Sequence, residues 1–361
     1  MGTRVLFLYP NTFGMNMVPP AIAFLSALLK QEGHEAELFD STYYDLNYGV
    51  DSEGIKAEQL NVVPFDLEAR GIRMKTSDWR GDLSAQVKRF APDLIAVSST
   101  EDMWELALVM LGELENYIGT QDTPVIAGGV FPTFAPQLVI NHPLIRMVCI
   151  GEGENALVDL CENLAKGESY ESVTNLWVKR PDGSIKKNPI SRPVDINENP
   201  TIDLSLFEEE RLYRPMSGRI YKMFPIETHR GCPFTCRFCN SPDQMKLYEK
   251  EAGGGFFRKK SMTVVHNELK HLKDNLGCEY NYFWADTFLA MNNHEFDEFC
   301  EMYSDIKLPF WMQTRPETIS DEKLRKLAEV GLHRISFGIE HGDEEFRKKL
   351  LDRRWKNDHI I

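Results

Sequence analysis

Apolar residues in this chain fall into short continuous runs separated by stretches with helical spacing, and the alternation carries through most of its length. Residues 4–9 form a compact apolar run. Pro19-Pro20 then opens a helix with Ile22, Leu25 and Leu29 on one face, closed by Gly33. Further strands are predicted over residues 37–39, 93–97, 123–127 and 147–150. One intervening helix carries Trp104, Leu108 and Leu111, with Glu101 and Asp102 before it, where acidic residues suit the helix dipole. Another carries Leu157, Leu160, Cys161 and Leu164. This pattern predicts an α/β fold, a doubly wound Rossmann-like parallel sheet with helices on both faces. Residues 41–88 resist assignment apart from a helix near 82–90.

The alternation lapses over residues 167–220. Residues 175–178 and 184–187 flank Arg180-Pro181-Asp182-Gly183, a turn sequence that predicts a small hairpin. Pro189, Pro193 and Pro200 then punctuate an extended connector, so a first domain is expected over 1–190, a linker over 191–220 and a second domain over 221–361. A strand over 223–228 opens the second domain. Helices follow over 262–276 and 293–306, a third is capped by Ser320 and closed by Gly331, and strands lie at 280–284, 310–313 and 334–339. These are four βα units in parallel order, with polar residues at each strand's carboxyl end. A last helix is expected to run through Arg347, Arg354 and Trp355 into the terminus, as though the chain were the N-terminal portion of a longer enzyme.

Composition narrows the function. Lys and Arg number 41 against 55 Asp and Glu, a net charge of −14, so the basic footprint needed to grip a nucleic-acid backbone is lacking and nucleic acid is a poor default partner. No run approaches the ~20 apolar residues of a membrane span. The opening run is too short for a signal peptide. A cytoplasmic protein is expected. Seven cysteines in 361 residues make no disulfide framework, and three fall within eight residues, which points to metal or redox chemistry.

Those three, Cys232, Cys236 and Cys239, stand as C-x3-C-x2-C on the loop leaving the strand at 223–228, where barrel enzymes put their chemistry. Thiolates are the usual ligands of iron–sulfur clusters, and three leave one iron of a 4Fe–4S cluster open. A zinc site would need a fourth ligand, for which His229 is the neighbouring candidate. A ferredoxin-like carrier would need a fourth local cysteine. Cys278 and Cys300 are distant, and with Cys149 and Cys161 they read as core residues. In the first domain, Ser98–Thr100, Gly128–Phe131 and Gly151–Glu154 fall at predicted carboxyl ends of strands, where such sheets bind ligands. They suit close approach by a bulky planar ligand, or are ordinary βα turns.

The cysteine triplet, with the aromatic Phe238 before its last member, resembles the radical S-adenosylmethionine signature. The opening at 4–10, Ala127-Gly128-Gly129 with residues 131–136 behind it, and Ile150-Gly151-Glu152-Gly153-Glu154 resemble the cobalamin-binding domain that precedes many such enzymes. The resemblance implies a six-stranded partial (β/α) barrel, of which four units are present, and three cofactors: a 4Fe–4S cluster, S-adenosylmethionine and cobalamin. It implies that S-adenosylmethionine fills the open iron site and is reductively cleaved to a 5′-deoxyadenosyl radical. Phe238, Asp286, Arg315, Ser336 and Glu340 match positions that hold S-adenosylmethionine, the last two toward the ribose. Ser98, Ser99, Thr100, Gly128, Gly129, Val130, Gly151, Glu152 and Gly153 match the cobalamin turns. The loop Asn11-Thr12-Phe13-Gly14-Met15-Asn16-Met17 carries no His, so the lower face of cobalt would lack a His ligand. The implied reaction is methyl transfer to an unactivated carbon of a small-molecule substrate, with an external flavodoxin- or ferredoxin-like one-electron reductant. Ring formation or oxygen insertion, as in anaerobic tetrapyrrole cyclases, is the runner-up, and a non-catalytic cofactor-binding module is the third reading. No acid or base is assigned.

Overall fold

The computed structural model describes residues 2–13, 17–46 and 66–359. Residues 14–16 of the His-free loop, and 47–65 of the segment that resists assignment, lie outside that set. The described chain divides into two compact units, one of residues 1–194 and 200–220, the other of 195–199 and 221–361.

The first unit is built on strands β1 (Arg4–Tyr9), β2 (Glu35–Asp40), β3 (Leu94–Ser98), β4 (Val125–Gly128) and β5 (Met147–Cys149), parallel and ordered β2–β1–β3–β4–β5. Val5, Leu6, Phe7 and Leu8 are all buried, the signature of a strand covered on both faces. The order reverses between β1 and β3, the switch point at which doubly wound sheets open a ligand crevice. The Pro-Asp-Gly hairpin forms as β6 (Leu176–Lys179) and β7 (Ile185–Lys187), but it joins this sheet, with β6 antiparallel to β5, so the sheet is mixed and not wholly parallel. β5 leaves an edge to which β6 pairs, so the hairpin extends the sheet. The helix expected near 82–90 forms over Trp79–Phe90, capped by the Asp78 side chain. A short strand, β8 (Tyr213–Met216), ends the connector.

In the second unit, β9 (Arg219–Glu227), β12 (Tyr280–Trp284), β13 (Phe310–Thr314) and β14 (Leu332–Phe337) run parallel in the order β14–β13–β12–β9. The helices between them follow the predicted periodicity: Met262–Leu276 buries Val265, Leu269 and Leu272, and Asn293–Ile306 buries Phe296, Phe299, Tyr303 and Ile306. Asn292 and Glu295 close a capping box at the start of the second. Phe283, Phe288, Phe299, Tyr303 and Phe310 form an aromatic core whose edge-to-face pairs fix the sheet against that helix. A helix at Ser241–Ala252, which periodicity did not show, follows the cysteines directly. The last helix stops at Leu350 and does not run through Trp355. Asp352 turns left-handed (φ 54°), and Trp355 folds back, buried, under the guanidinium of the fully buried Arg347 at 3.7 Å.

Candidate active site

The cysteine loop leaves the carboxyl end of β9 through the two-residue strand β10 (His229–Arg230), which pairs antiparallel with β11 (Arg258–Lys259). Gly231, between β10 and Cys232, has φ +82°, and a Cβ there would stand 2.9 Å from the Phe256 ring. Only glycine makes that turn without displacing the ring. Beneath it, Glu227 is paired with Arg230 at 2.8 Å, and the buried Lys260 ammonium donates to both carboxylate oxygens of Glu268 at 3.0 and 2.9 Å. Burial pushes the Glu268 carboxyl pKa up while Lys260 pulls it down. The far side of the loop is tied to the C-terminal segment: Thr235 Oγ1 donates to Asp352 at 2.7 Å and the Arg237 amide to the Leu351 carbonyl at 3.2 Å.

Cys232 and Cys236 are buried and Cys239 is half-buried. Each sulfur has a polar neighbour. Cys232 Sγ lies 3.4 Å from Thr287 Oγ1, the Ser241 amide donates to Cys239 Sγ at 3.5 Å, and Arg315 Nη1 donates to Cys236 Sγ at 2.9 Å. Burial raises the pKa of the Cys232 and Cys239 thiols, a cost that a bound metal corner offsets by stabilising the thiolate. Among the described residues, no three His, Cys, Asp or Glu side chains converge as ligands of one ion. Three thiolates from one loop are the donor set of a cubane, in which each takes a different iron. His229 is also no fourth ligand by geometry. Its ring is buried, with Nε2 3.0 Å from the Thr287 carbonyl, which can only accept, and Nδ1 3.2 Å from Thr228 Oγ1. Burial pushes its pKa down to about 4, so it is neutral at pH 7.

The residues expected to hold S-adenosylmethionine distribute around this loop and the sheet's carboxyl edge. Asp286 follows β12 and is exposed to solvent, while crowding by neighbouring protein raises its carboxyl pKa. Phe238 is 51% exposed, unusual for an aromatic ring on a structured loop. Ser336 Oγ accepts from Trp311 Nε1 at 2.9 Å, and Glu340, left-handed at φ 67°, accepts from Arg353 at 2.9 Å. Strain of that kind in a non-glycine residue is characteristic of functional positions. Arg315 is buried, and all three of its nitrogens have protein partners, Cys236 and Glu317. Thr287, Ser241 and the Lys260–Glu268 pair had no sequence signal, since each acts through a contact that spacing cannot reveal.

In the first unit, the turns after β3, β4 and β5 gather at the carboxyl ends of adjacent parallel strands. Gly129 has φ +108°, and a Cβ there would meet the Ser99 carbonyl oxygen at 2.8 Å. Thr133 Oγ1 ties two turns together, donating to the Gly129 carbonyl at 2.8 Å and accepting from the Gly151 amide at 3.1 Å. Ser98 and Gly153 are half-buried, Ser99 is buried, and Thr100, Gly129 and Val130 are exposed. Val130, 42% exposed, presents an apolar surface beside a backbone cradle, which fits a bulky planar ligand. Glu152 faces inward instead: its carboxylate accepts from the Val194 amide at 2.9 Å and its carbonyl from Asn175 at 2.8 Å.

Comparison with known proteins agrees with this division. Residues 9–161 match the family model for the B12 binding domain, and residues 226–361 match that for the radical SAM superfamily. An uncharacterised methyltransferase of Pyrococcus horikoshii is 24% identical over 353 residues, covering 93% of this chain and 65% of that protein. The anaerobic magnesium-protoporphyrin IX monomethyl ester cyclase of Rubrivivax gelatinosus is 25% identical over 355 residues, covering 93% of this chain and 55% of that protein. The chain thus spans between about half and two-thirds of the length of these two relatives. Among solved structures, the cobalamin-dependent S-adenosylmethionine radical enzyme OxsB with aqua-cobalamin bound shares the fold with TM-score 0.69 at 20% identity, over 99% of this chain and 47% of that one. The radical S-adenosylmethionine methyltransferase TsrM from Kitasatospora setae gives TM-score 0.64 at 18% identity, over 96% and 60%. Residues 226–361 therefore form a domain of the radical S-adenosylmethionine superfamily and residues 9–161, ahead of it, a B12-binding domain, and the cofactors of these families are a 4Fe–4S cluster, S-adenosylmethionine and cobalamin.

Proposed function

We propose that the chain is the cofactor-bearing part of a cobalamin-dependent enzyme that transfers a methyl group to an unactivated carbon of a small organic substrate through a 5′-deoxyadenosyl radical. The observation that carries this reading is the C-x3-C-x2-C loop, folded at the carboxyl end of a parallel strand in a chain that also has a B12-binding domain. Bound together, the cofactors supply the electron, the hydrogen-abstracting radical and the methyl group.

The protein's own side chains bind and orient. Cys232, Cys236 and Cys239 would hold the cluster, leaving one iron for the amino and carboxylate groups of S-adenosylmethionine. Phe238 offers an exposed ring for stacking, Asp286 an exposed carboxylate, and Ser336 and Glu340 polar groups toward a ribose. In the first unit, Ser98, Ser99, Thr100, Gly128, Gly129, Val130, Gly151 and Gly153 would form the cobalamin cradle, with Glu152 holding it from behind. A low-potential electron donor of the flavodoxin or ferredoxin class is required. All seven cysteines are free, which suits the reducing cytoplasm, and among the described residues no helix is long and apolar enough to cross a membrane. Ring formation is the second reading, favoured by the 25% identity to the Rubrivivax cyclase.

Anaerobically reconstituted protein should bind iron and cobalamin, and form 5′-deoxyadenosine with a strong one-electron reductant. Cys236→Ala should abolish both iron binding and 5′-deoxyadenosine. Label from methyl-deuterated S-adenosylmethionine appearing in an organic product supports methyl transfer. 5′-Deoxyadenosine without methyl label in any product would move the assignment to the cyclase reading, and a colourless protein holding one zinc would end both.

A further inference from the structure

The three cluster sulfurs are not equivalent. Cys232 and Cys239 face a hydroxyl and a backbone amide, whereas Cys236 faces the guanidinium of Arg315. Arg315 is only 7% exposed, so little solvent screens its guanidinium. Its geometry is fixed from two sides. Glu317 grips the Nε–Nη2 edge, with Nε to Oε1 at 2.7 Å, and the ring of Phe234, inside the cysteine loop itself, lies against its face at 3.8 Å. That leaves Nη1 for the Cys236 sulfur, at 2.9 Å.

We propose that Arg315 is a positioning residue for the cluster's electrons: through its Nη1–H···Sγ contact with Cys236 it raises the reduction potential of the cluster bound by Cys232, Cys236 and Cys239. The step concerned is a one-electron transfer. A low-potential donor such as dithionite loses one electron, the cluster gains it, and no bond or proton moves. A buried cation that also donates a hydrogen bond to a thiolate stabilises the more negative, reduced state more than the oxidised one, and hydrogen bonds to the sulfurs are among the protein's levers on such potentials. The cation serves this end only while it points at sulfur, which is what Glu317 and Phe234 enforce. The proposal rests on the cluster alone, and not on whether the reaction is methyl transfer or cyclisation.

The test compares wild type, Arg315→Gln and Arg315→Lys as full chains, reconstituted anaerobically without S-adenosylmethionine or cobalamin. Iron per chain and the midpoint potential, by spectroelectrochemical titration, are read together. Full iron in both variants is expected, with a shift to more negative potential in Arg315→Gln and a smaller negative shift in Arg315→Lys. Arg315→Gln with full iron and an unshifted or more positive potential would overturn the inference. If Arg315→Gln takes up no iron, Arg315→Lys decides on the same criterion. Loss of iron in both assigns Arg315 to building the loop and overturns a tuning role. Wild type without iron would instead sink the cluster reading itself.

Discussion

The two cofactor regions of this chain are built by different physics. Around the cysteines the framework is charged: Glu227 with Arg230, Lys260 with Glu268, and Arg315 between Glu317 and a thiol sulfur, most of it buried. Around the turns of the first unit the framework is mainly neutral: glycine backbone, the Thr133 hydroxyl and the Asn175 amide, with the Glu152 carboxylate tied to the Val194 amide. The contrast follows from what each must hold. A cluster gathers several thiolates and exchanges electrons, so its surroundings need charge fixed in direction. A large, planar corrin is held by close backbone approach over a wide area, which calls for few charged groups. Substituting one side should therefore cost stability steeply, and the other gently.

The steepest case is Lys260→Met. It leaves the Glu268 carboxylate buried without its cation, and breaking such a pair costs about 3–5 kcal/mol. Urea unfolding should show that loss, together with poor iron uptake, because the Lys260 amide also anchors the Thr228 carbonyl at 2.8 Å just ahead of β10. The double variant Lys260→Met/Glu268→Leu should recover most of the stability. Failure to recover would show that the pair is not the source of the loss, and would erase the contrast.

That pair was invisible in the sequence, whereas the loop it supports was plain. The cysteine triplet is legible because metal ligation demands fixed residue types at fixed spacing. The helices at Met262–Leu276 and Asn293–Ile306 are legible because each buries one stripe. What periodicity cannot reach is contact between residues far apart in sequence: Thr287 against Cys232, 55 positions apart, or Arg315 against Cys236, 79 apart. The helix at Ser241–Ala252 escaped for another reason, as it buries only Ser241 and Tyr248 and so has no apolar stripe to read. The expected continuation of the last helix failed because the run from Arg347 to Arg354 looks amphipathic, while Arg347 is in fact buried on Trp355 and the chain turns left-handed at Asp352.

An intermediate effect comes from pH. His229 is neutral within the charged region, with a pKa of 6.5 when unfolded and about 4 when folded, so the unfolded chain binds its proton first as pH falls. The associated stability is fully present above pH 6.5 and declines as pH drops from about 6.5 to about 4. In total it amounts to something on the order of 3 kcal/mol. His229→Gln should flatten this part of the profile, measured as the difference between wild-type and variant urea midpoints across that range. A difference that stays constant with pH would show that the ring is not held neutral.

The gentlest case sharpens the neutral side of the comparison. Thr133→Val keeps the shape of the side chain and removes the hydroxyl that joins the Gly129 and Gly151 turns. The Gly129 carbonyl retains the Thr133 amide at 3.2 Å, so the loss falls mainly on the Gly151 N–H, and about 1–2 kcal/mol is expected. Because the two turns flank one cradle, cobalamin retention should weaken by up to about thirtyfold, the affinity equivalent of the upper end of that energy. Thr133→Ser, which restores the hydroxyl, should bind as wild type does. If Thr133→Val instead matched Lys260→Met in its cost, both regions would depend on a single polar linchpin, and the division between charged and neutral frameworks would have no energetic content.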